Sequence, residues 1–262
     1  MKHPKSILIT GGSSGIGEAL ALAYAAPGVF LGLIGRNRER LDRVAALCRA
    51  AGAEVATAVV DVREADALAA WMAGLDREAP LDLVIANAGI SAGTGSAGES
   101  DRQARDIFAV NVDGVVNSVL AAAALMRPRR SGQIAIMSSL AGFRGFPGAP
   151  AYCASKAAVR VWGEALRGML AREGIEVTVI CPGYVKSPMT DRNDFPMPFL
   201  MEADRAAGII RRGLAANRAR IVFPHRLFAA AWLLALLPPA WTDPLLGRLP
   251  EKAAASEPQP GS

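Results

Sequence analysis

Tyr152 and Lys156 stand four residues apart in the run Ala-Tyr-Cys-Ala-Ser-Lys-Ala-Ala-Val, which has a helix-forming composition. That spacing places the phenol and the ammonium on one helical face. A phenol with a pKa near 10 is a poor proton donor or acceptor at neutral pH. A neighbouring ammonium favours the phenolate and is expected to lower that pKa by roughly one to three units. The pair could then give a proton to a forming alkoxide, or take one from an alcohol.

A second constellation is Gly11-Gly12-Ser13-Ser14-Gly15-Ile16-Gly17, entered from the apolar run 6–10 and left into a helical pattern over 18–26. Glycines let backbone approach a pyrophosphate, and a helix N-terminus offers unpaired N–H groups and the positive end of its dipole. A tight turn that binds nothing has the same composition, so this run alone decides nothing. Its spacing, Gly-x-x-x-Gly-x-Gly, differs from the Gly-x-Gly-x-x-Gly dinucleotide fingerprint.

These residues need a scaffold. Short β-branched runs at 6–10, 29–34, 54–60, 81–86, 133–138, 175–180 and 220–223 alternate with amphipathic stretches such as 38–51 and 65–75. Near-continuous apolar strands between helices predict a doubly wound α/β fold, a Rossmann-like parallel sheet of about seven strands in a single domain. Its ligand crevice lies beyond the carboxyl ends of the strands. Two stretches break the alternation: 91–100 is small and polar, a loop, and 182–198 carries four prolines, a long connection of the kind that covers a ligand. The expected organisation is a catalytic domain over 1–225, an apolar segment over 226–250 and a disordered tail over 251–262.

Composition narrows the function classes. The chain has 262 residues, 52% hydrophobic and 20% charged, which excludes a disordered chain and a charge-rich coiled coil. Its net charge of +5 is scattered, so the basic residues read as solvated faces and no nucleic-acid partner is expected. Three cysteines without close pairing and two histidines argue against a disulfide framework and a metal site. The short apolar run after the N-terminus does not make a secretory signal, so a cytoplasmic location is expected.

Thr10-Gly-x-x-x-Gly-x-Gly17 resembles the opening motif of the short-chain dehydrogenase/reductase family in its simple form. Four further features agree in the family's order. Asn87-Ala88-Gly89 sits at the end of the fourth strand, and Asn111 lies in Asn-Val-Asp-Gly before the fifth. Ser139 ends that strand thirteen residues before Tyr152, and Pro182-Gly183 closes the sixth. The resemblance implies an oxidoreductase that moves a hydride between a nicotinamide and a carbonyl or secondary alcohol. Asn111, Ser139, Tyr152 and Lys156 are then catalytic. Tyr152 handles the proton, helped by the positive charge of oxidised nicotinamide, and Lys156 also holds the nicotinamide ribose. Ser139, favoured over Ser138 by the spacing, polarises the carbonyl oxygen. Asn111 kinks its helix and holds a water leading to Lys156. Implied cofactor contacts are Gly11, Ser13, Ser14, Gly15, Ile16, Gly17, Asp61, Val62, Asn87, Ala88, Gly89, Pro182, Gly183, Val185 and Ser187, besides Tyr152 and Lys156. Ala86 stands where many members have Asn, and Ser187 where a Thr often contacts the nicotinamide amide.

The end of the second strand selects the nucleotide. A carboxylate there binds both ribose hydroxyls of NAD and repels a 2′-phosphate. This chain has Gly35 followed by Arg36, Asn37 and Arg38, and an Arg can clamp a phosphate. NADP(H) is expected, contacted by Arg36 and Asn37, with NAD(H) as the alternative. Asp61 reads as an adenine contact, a helix N-cap, or both.

The substrate floor is expected from 140–150 and the lid from 184–201, which contain Phe143, Phe146, Pro147, Tyr184, Met189, Phe195, Met197, Phe199 and Met201. Aromatics and Met suggest a bulky or apolar carbonyl compound, while Arg144, Lys186 and Arg192 read as solvent-exposed. Cys153 reads as a packing residue. The run 227–237 is uncharged and too short to span a bilayer. It is expected to pack on a partner subunit of a homo-oligomer or over the substrate pocket, with peripheral membrane contact through 227–249 as the alternative. The rival function is a protein that binds NADP(H) without turnover, against which the intact Asn111, Ser139, Tyr152 and Lys156 argue.

Overall fold

In the computed structural model, which describes residues 3–92, 94, 98–191, 193 and 195–247, Ile7, Leu8 and Ile9 are all fully buried. Successive side chains of a strand point to opposite faces, so both faces of this strand must be covered. It is β1 (Ser6–Thr10), and it pairs in parallel with β2 (Phe30–Ile34) on one side and β4 (Leu83–Ala86) on the other. With β3 (Glu54–Ala58), β5 (Gly132–Met137), β6 (Ile175–Pro182) and β7 (Arg220–Phe223) the sheet has seven strands in the order β3-β2-β1-β4-β5-β6-β7. The chain order reverses between β1 and β4, which makes the switch point where a doubly wound sheet opens its crevice.

Helices α1 (Gly15–Tyr24), α2 (Arg38–Ala50) and α7 (Ala203–Ala215) cover one face, where Leu20, Val44 and Ile210 join Ile7 and Ile9 in one core. Helices α3 (Ala65–Glu78), α5 (Gly114–Met126) and α6 (Pro150–Ala171) cover the other, with Leu68, Val119 and Leu166 packed against Leu8 and Val84. Between α4 (Asp101–Phe108) and α5 the helix widens into a π-turn over Ala109–Asp113. The continuous stretch Asp101–Met126 is long and apolar enough to cross a membrane, yet half of its most apolar window is buried within this fold. After β7 come α8 (His225–Leu236) and α9 (Pro239–Leu246), where Pro238-Pro239 interrupts the apolar run.

Some element ends differ from the sequence expectation. Helix α1 starts at Gly15, three residues early, because the last glycines of the loop form its first turn. Strand β3 stops at Ala58, so Asp61 lies three residues beyond it. Strand β6 runs on to Pro182, whose partner on β7 is Phe223. The expected tail over 251–262, with 248–250, Arg192 and most of 93–97, lies outside the described residues.

Candidate active site

The loops leaving β1 to β6 enclose one cavity of about 820 Å³. The glycine loop forms one wall. Gly11 and Gly15 have φ of +66° and +55°, which favours glycine. A Cβ on Gly17 would run into the Gly11 carbonyl oxygen. No side chain caps α1 at Ser14, so the first-turn N–H groups stand open beside the cavity, which Ser13, Ser14, Gly15 and Ile16 line. The Thr10 hydroxyl accepts from the N–H groups of Asn87 (3.0 Å) and Ala88 (3.1 Å), and the Asn87 amide donates to the carbonyls of Thr10 (3.0 Å) and Gly11 (3.2 Å). Those bonds lock the β4 turn against the glycine loop.

Arg36, Asn37 and Arg40 line the far end of the cavity, and Arg38 does not. Asn37 is the N-cap of α2, its side-chain oxygen accepting from the Arg40 N–H at 2.8 Å. A Cβ on Gly35 would stand 2.9 Å from the Ser13 hydroxyl. Val60, Asp61 and Val62 line the same end. Asp61 does not cap α3, which has Glu64 at that position. Its carboxylate instead accepts from the Arg63 N–H (3.0 Å) and guanidinium (2.7 Å), an ion pair that holds it below the usual carboxylate range.

At the other end α6 brings Tyr152 and Lys156 beneath the turn after β5. The Ser138 hydroxyl donates to the Lys156 carbonyl at 2.7 Å, so it faces the helix backbone. Ser139 hydrogen-bonds the Tyr152 phenol, and its Oγ also lies 3.4 Å from the Pro182 carbonyl and accepts from the Ala141 N–H at 3.1 Å. Lys156 is 3% exposed. Its Nζ donates to the Met137 carbonyl at 3.1 Å and lies 5.8 Å from the Tyr152 ring centroid. Burial pushes Lys156 down to about 8. It pushes Tyr152 up to about 12, against the lowering effect of Ser139. The expected lowering of the phenol is therefore reversed in this state: desolvation outweighs an ammonium that is directed at a backbone carbonyl.

Asn111 sits in the π-turn, fully buried. Its Oδ1 accepts from the Ile90 N–H (2.8 Å), and its Nδ2 donates to the Ile90 carbonyl (2.9 Å) and the Ser155 hydroxyl (3.1 Å). It thus ties the β4 turn to α6. A Cβ on Gly89 would lie 3.1 Å from its Oδ1 and 3.3 Å from Lys156 Nζ, so the three form one cluster. Pro182, Gly183, Val185 and Ser187 line the cavity from the β6 side. Ser187 packs over Gly15, and its N–H donates to the Thr190 hydroxyl at 2.8 Å.

The substrate end departs in part from expectation. Phe146, Pro147, Tyr184, Met189 and Phe195 line the cavity, with Tyr184 and Phe195 edge to face at 6.1 Å. Phe143 lies outside it, held between Arg160 (4.6 Å), Arg220 (5.3 Å) and Phe228 (5.2 Å). Met197 does not reach the cavity, Phe199 is exposed, and Met201 belongs to the sheet core. Lys186 is exposed as expected, but Arg144 is mostly covered and donates to Thr242 (2.8 Å) and Asp243 (3.1 Å). Cys153 is buried in the cavity wall. Leu227, Ala231, Leu234 and Leu246 close the cavity, so α8 and α9 cover the pocket.

Two residues escaped the sequence reading. Arg40, in the first turn of α2, belongs to the same arginine-rich run as Arg36 and Arg38, and that run was the available signal. Glu99 had no such signal, because it lies far from α6 in sequence. Its Oε2 accepts from the Ala151 N–H at 3.0 Å, one residue before Tyr152, so a carboxylate caps the first turn of the helix that carries the phenol. Glu99→Ala is expected to reduce Tm by about 2–4 °C, since a helix cap contributes about 1 kcal/mol. Glu99→Ala should also lower kcat without changing the dinucleotide KM. Unchanged kcat with a lower Tm would make the contact purely structural.

A cleft at the switch point, a bare helix N-terminus in a glycine cradle and a Tyr–Lys–Ser cluster whose Lys156 and Ser139 are buried together define a dinucleotide-dependent oxidoreductase. A short chain dehydrogenase family model matches residues 5–195. An uncharacterized oxidoreductase of Myxococcus xanthus is 39% identical over 94% of this chain and 97% of its own. Among solved structures, a short chain dehydrogenase/reductase from Burkholderia phymatum in complex with NAD matches with a TM-score of 0.82 and 25% identity, over 98% and 100% of the two chains. One from Sphingobium yanoikuyae in complex with NADPH matches with a TM-score of 0.78 and 26% identity, over 96% and 98%. The chain belongs to the short-chain dehydrogenase/reductase family, as an oxidoreductase with a nicotinamide cofactor.

Proposed function

We propose that the protein is an NADP(H)-dependent reductase of bulky, apolar carbonyl compounds, run in reverse as an alcohol dehydrogenase. The residues present fit the dinucleotide: the open α1 N-terminus suits a pyrophosphate, and Arg36 and Arg40 suit a 2′-phosphate. The solved neighbours hold NAD in one case and NADPH in the other, so the preference rests on Gly35, Arg36 and Arg40. When bound, the cofactor exchanges a hydride at its nicotinamide C4.

The observation that carries the reading is the Ser139–Tyr152 hydrogen bond at the cavity floor, with Lys156 beside it. Tyr152, pushed up to about 12, keeps its proton through the neutral range, which favours the direction in which it donates. Ser139 donates to the carbonyl oxygen where negative charge develops. Lys156 holds the nicotinamide ribose and replenishes charge beside the phenol, and Asn111 keeps the proton path from Lys156 in register. Gly11, Ser13, Asn87, Ala88 and Gly89 bind from the glycine-loop side, Asp61 and Val62 at the adenine, and Pro182, Gly183, Val185 and Ser187 at the nicotinamide.

The substrate class follows from the walls: Phe146, Tyr184, Phe195, Leu227 and Leu234 present apolar surface to the cavity. NADPH oxidation should be measured with a panel of ketones and aldehydes graded in size and polarity. Turnover is expected to rise with apolar bulk, and a preference for small charged carbonyl compounds would overturn the substrate class.

A further inference from the structure

The outer side of α8 and α9 is apolar and open. Trp232, Leu233, Leu236, Leu237 and Trp241 are 46%, 58%, 61%, 43% and 74% exposed. They are five of the fourteen exposed large apolar side chains among the described residues, gathered in ten consecutive positions, while the other nine are spread from Leu22 to Leu200. Soluble monomers rarely leave such a patch uncovered. The inner side of the same helices closes the substrate cavity through Leu227, Ala231, Leu234 and Leu246.

We infer that this outer face docks on an anionic lipid bilayer, lying in its interface with Trp232 and Trp241 at headgroup depth. Three observations select this occupant. The α8 helix has 12 residues, against the roughly 20 needed to span, and Pro239 starts a second short helix, so the pair suits an in-plane position. Tryptophan is the side chain favoured at the headgroup boundary. Finally, the charges match a negative surface. From Pro224 to Gly247 the sole carboxylate is Asp243, paired with Arg144 at 3.1 Å, while the Arg226 guanidinium is exposed at the start of α8.

A second copy fits this face less well. A two-fold contact sets the same patch against itself. Such a contact would pair apolar surface but offer Arg226 no free carboxylate from this stretch, since Asp243 is taken by Arg144. On a bilayer, by contrast, the helices that touch lipid are those that wall the cavity, so an apolar compound dissolved in the membrane has a short path into it. This docking does not depend on which carbonyl compound is reduced.

The test uses the full chain, pelleted with vesicles of phosphatidylcholine alone or mixed with phosphatidylglycerol, at low and high salt. Binding to the mixed vesicles is expected, weakened by salt, and reduced at least tenfold in Trp232→Ser/Trp241→Ser. Neither Trp lines the cavity, so that variant should reduce a water-soluble ketone at the normal rate, which shows that it is folded. Trp241→Ser alone, at the most exposed of these positions, serves if the double variant fails to fold. Brominated lipid should quench the fluorescence of the native chain and not of Trp232→Phe/Trp241→Phe. Native protein that stays in the supernatant, or a variant that pellets equally well, overturns the docking. So does a native dimer in sedimentation velocity that Trp241→Ser converts to monomer, which would assign the face to a second copy.

Discussion

Tyr152→Phe is expected to lower carbonyl reduction by roughly 10²–10⁴-fold, the range of a positioned acid–base group, with NADPH binding retained. The argument is geometric. The phenol proposed as the proton donor shares a hydrogen bond with Ser139 beside the cavity, and phenylalanine keeps the ring while removing only the hydroxyl. Ring packing and the backbone of α6 should stay in place, so a fluorescence titration with NADPH should give a nearly unchanged Kd. Full activity in this variant would sink the mechanism.

The same cluster carries a pH dependence. The kcat/KM for NADPH reports groups of the free enzyme. Lys156, held down to about 8 by burial, is charged below that pH and neutral above it. If its ammonium holds the ribose, kcat/KM for NADPH should be level below about pH 8 and decline above it. Lys156→Met should be low throughout and lack that bend, whereas a bend that survives the substitution belongs to another group. Tyr152, pushed up to about 12, contributes no loss of protonated donor across this window.

What the sequence disclosed and what it withheld divide along physical lines. The seven strands were legible because buried parallel strands need apolar residues on both faces, which leaves short β-branched runs such as Ile7–Ile9 between amphipathic helices. The cluster was legible because helical spacing already brings Tyr152 and Lys156 together, while Ser139 ends the strand thirteen residues before Tyr152. Quantities set by burial were hidden. An i, i+4 pair predicts attraction between ammonium and phenol, but the penalty for charging Tyr152 depends on walls contributed by distant segments. The Arg63 contact to Asp61 was a local alternative to capping, and sequence cannot weigh two short-range partners for one carboxylate. Glu99 was invisible for the same reason as the bent-away Phe143: both are placed by contacts between segments, here α6 with the loop before α4, and the Arg160–Arg220 pair with α8. The apolar run after β7 stood out in the sequence, and its two sides emerge only once α8 is seen to wall the cavity with one of them.

Arg36→Ala is expected to raise the KM for NADPH by about 10- to 100-fold, the loss of a charge-assisted hydrogen bond of about 1.5–3 kcal/mol, while the KM for NADH stays within about twofold. The reasoning starts at the end of β2. Gly35 offers no carboxylate to the ribose hydroxyls, and a side chain there would first have to displace Ser13, whose hydroxyl would be 2.9 Å from its Cβ. The position is thereby kept open for added negative charge. Arg36 and Arg40 both line this end of the cavity, one just before and one just after the start of α2, while Asn37 between them has its oxygen committed to capping that helix. The nearby carboxylate, Asp61, is neutralised by Arg63 at 2.7 Å, so its repulsion of a phosphate is damped. Because Arg40 remains in the single variant, Arg36→Ala/Arg40→Ala should weaken NADPH further and still spare NADH. Steady-state comparison of the two cofactors across the three proteins decides the matter: equal losses for NADPH and NADH would mean that these arginines serve the fold or the pyrophosphate, and an unchanged ratio would remove the 2′-phosphate from this site.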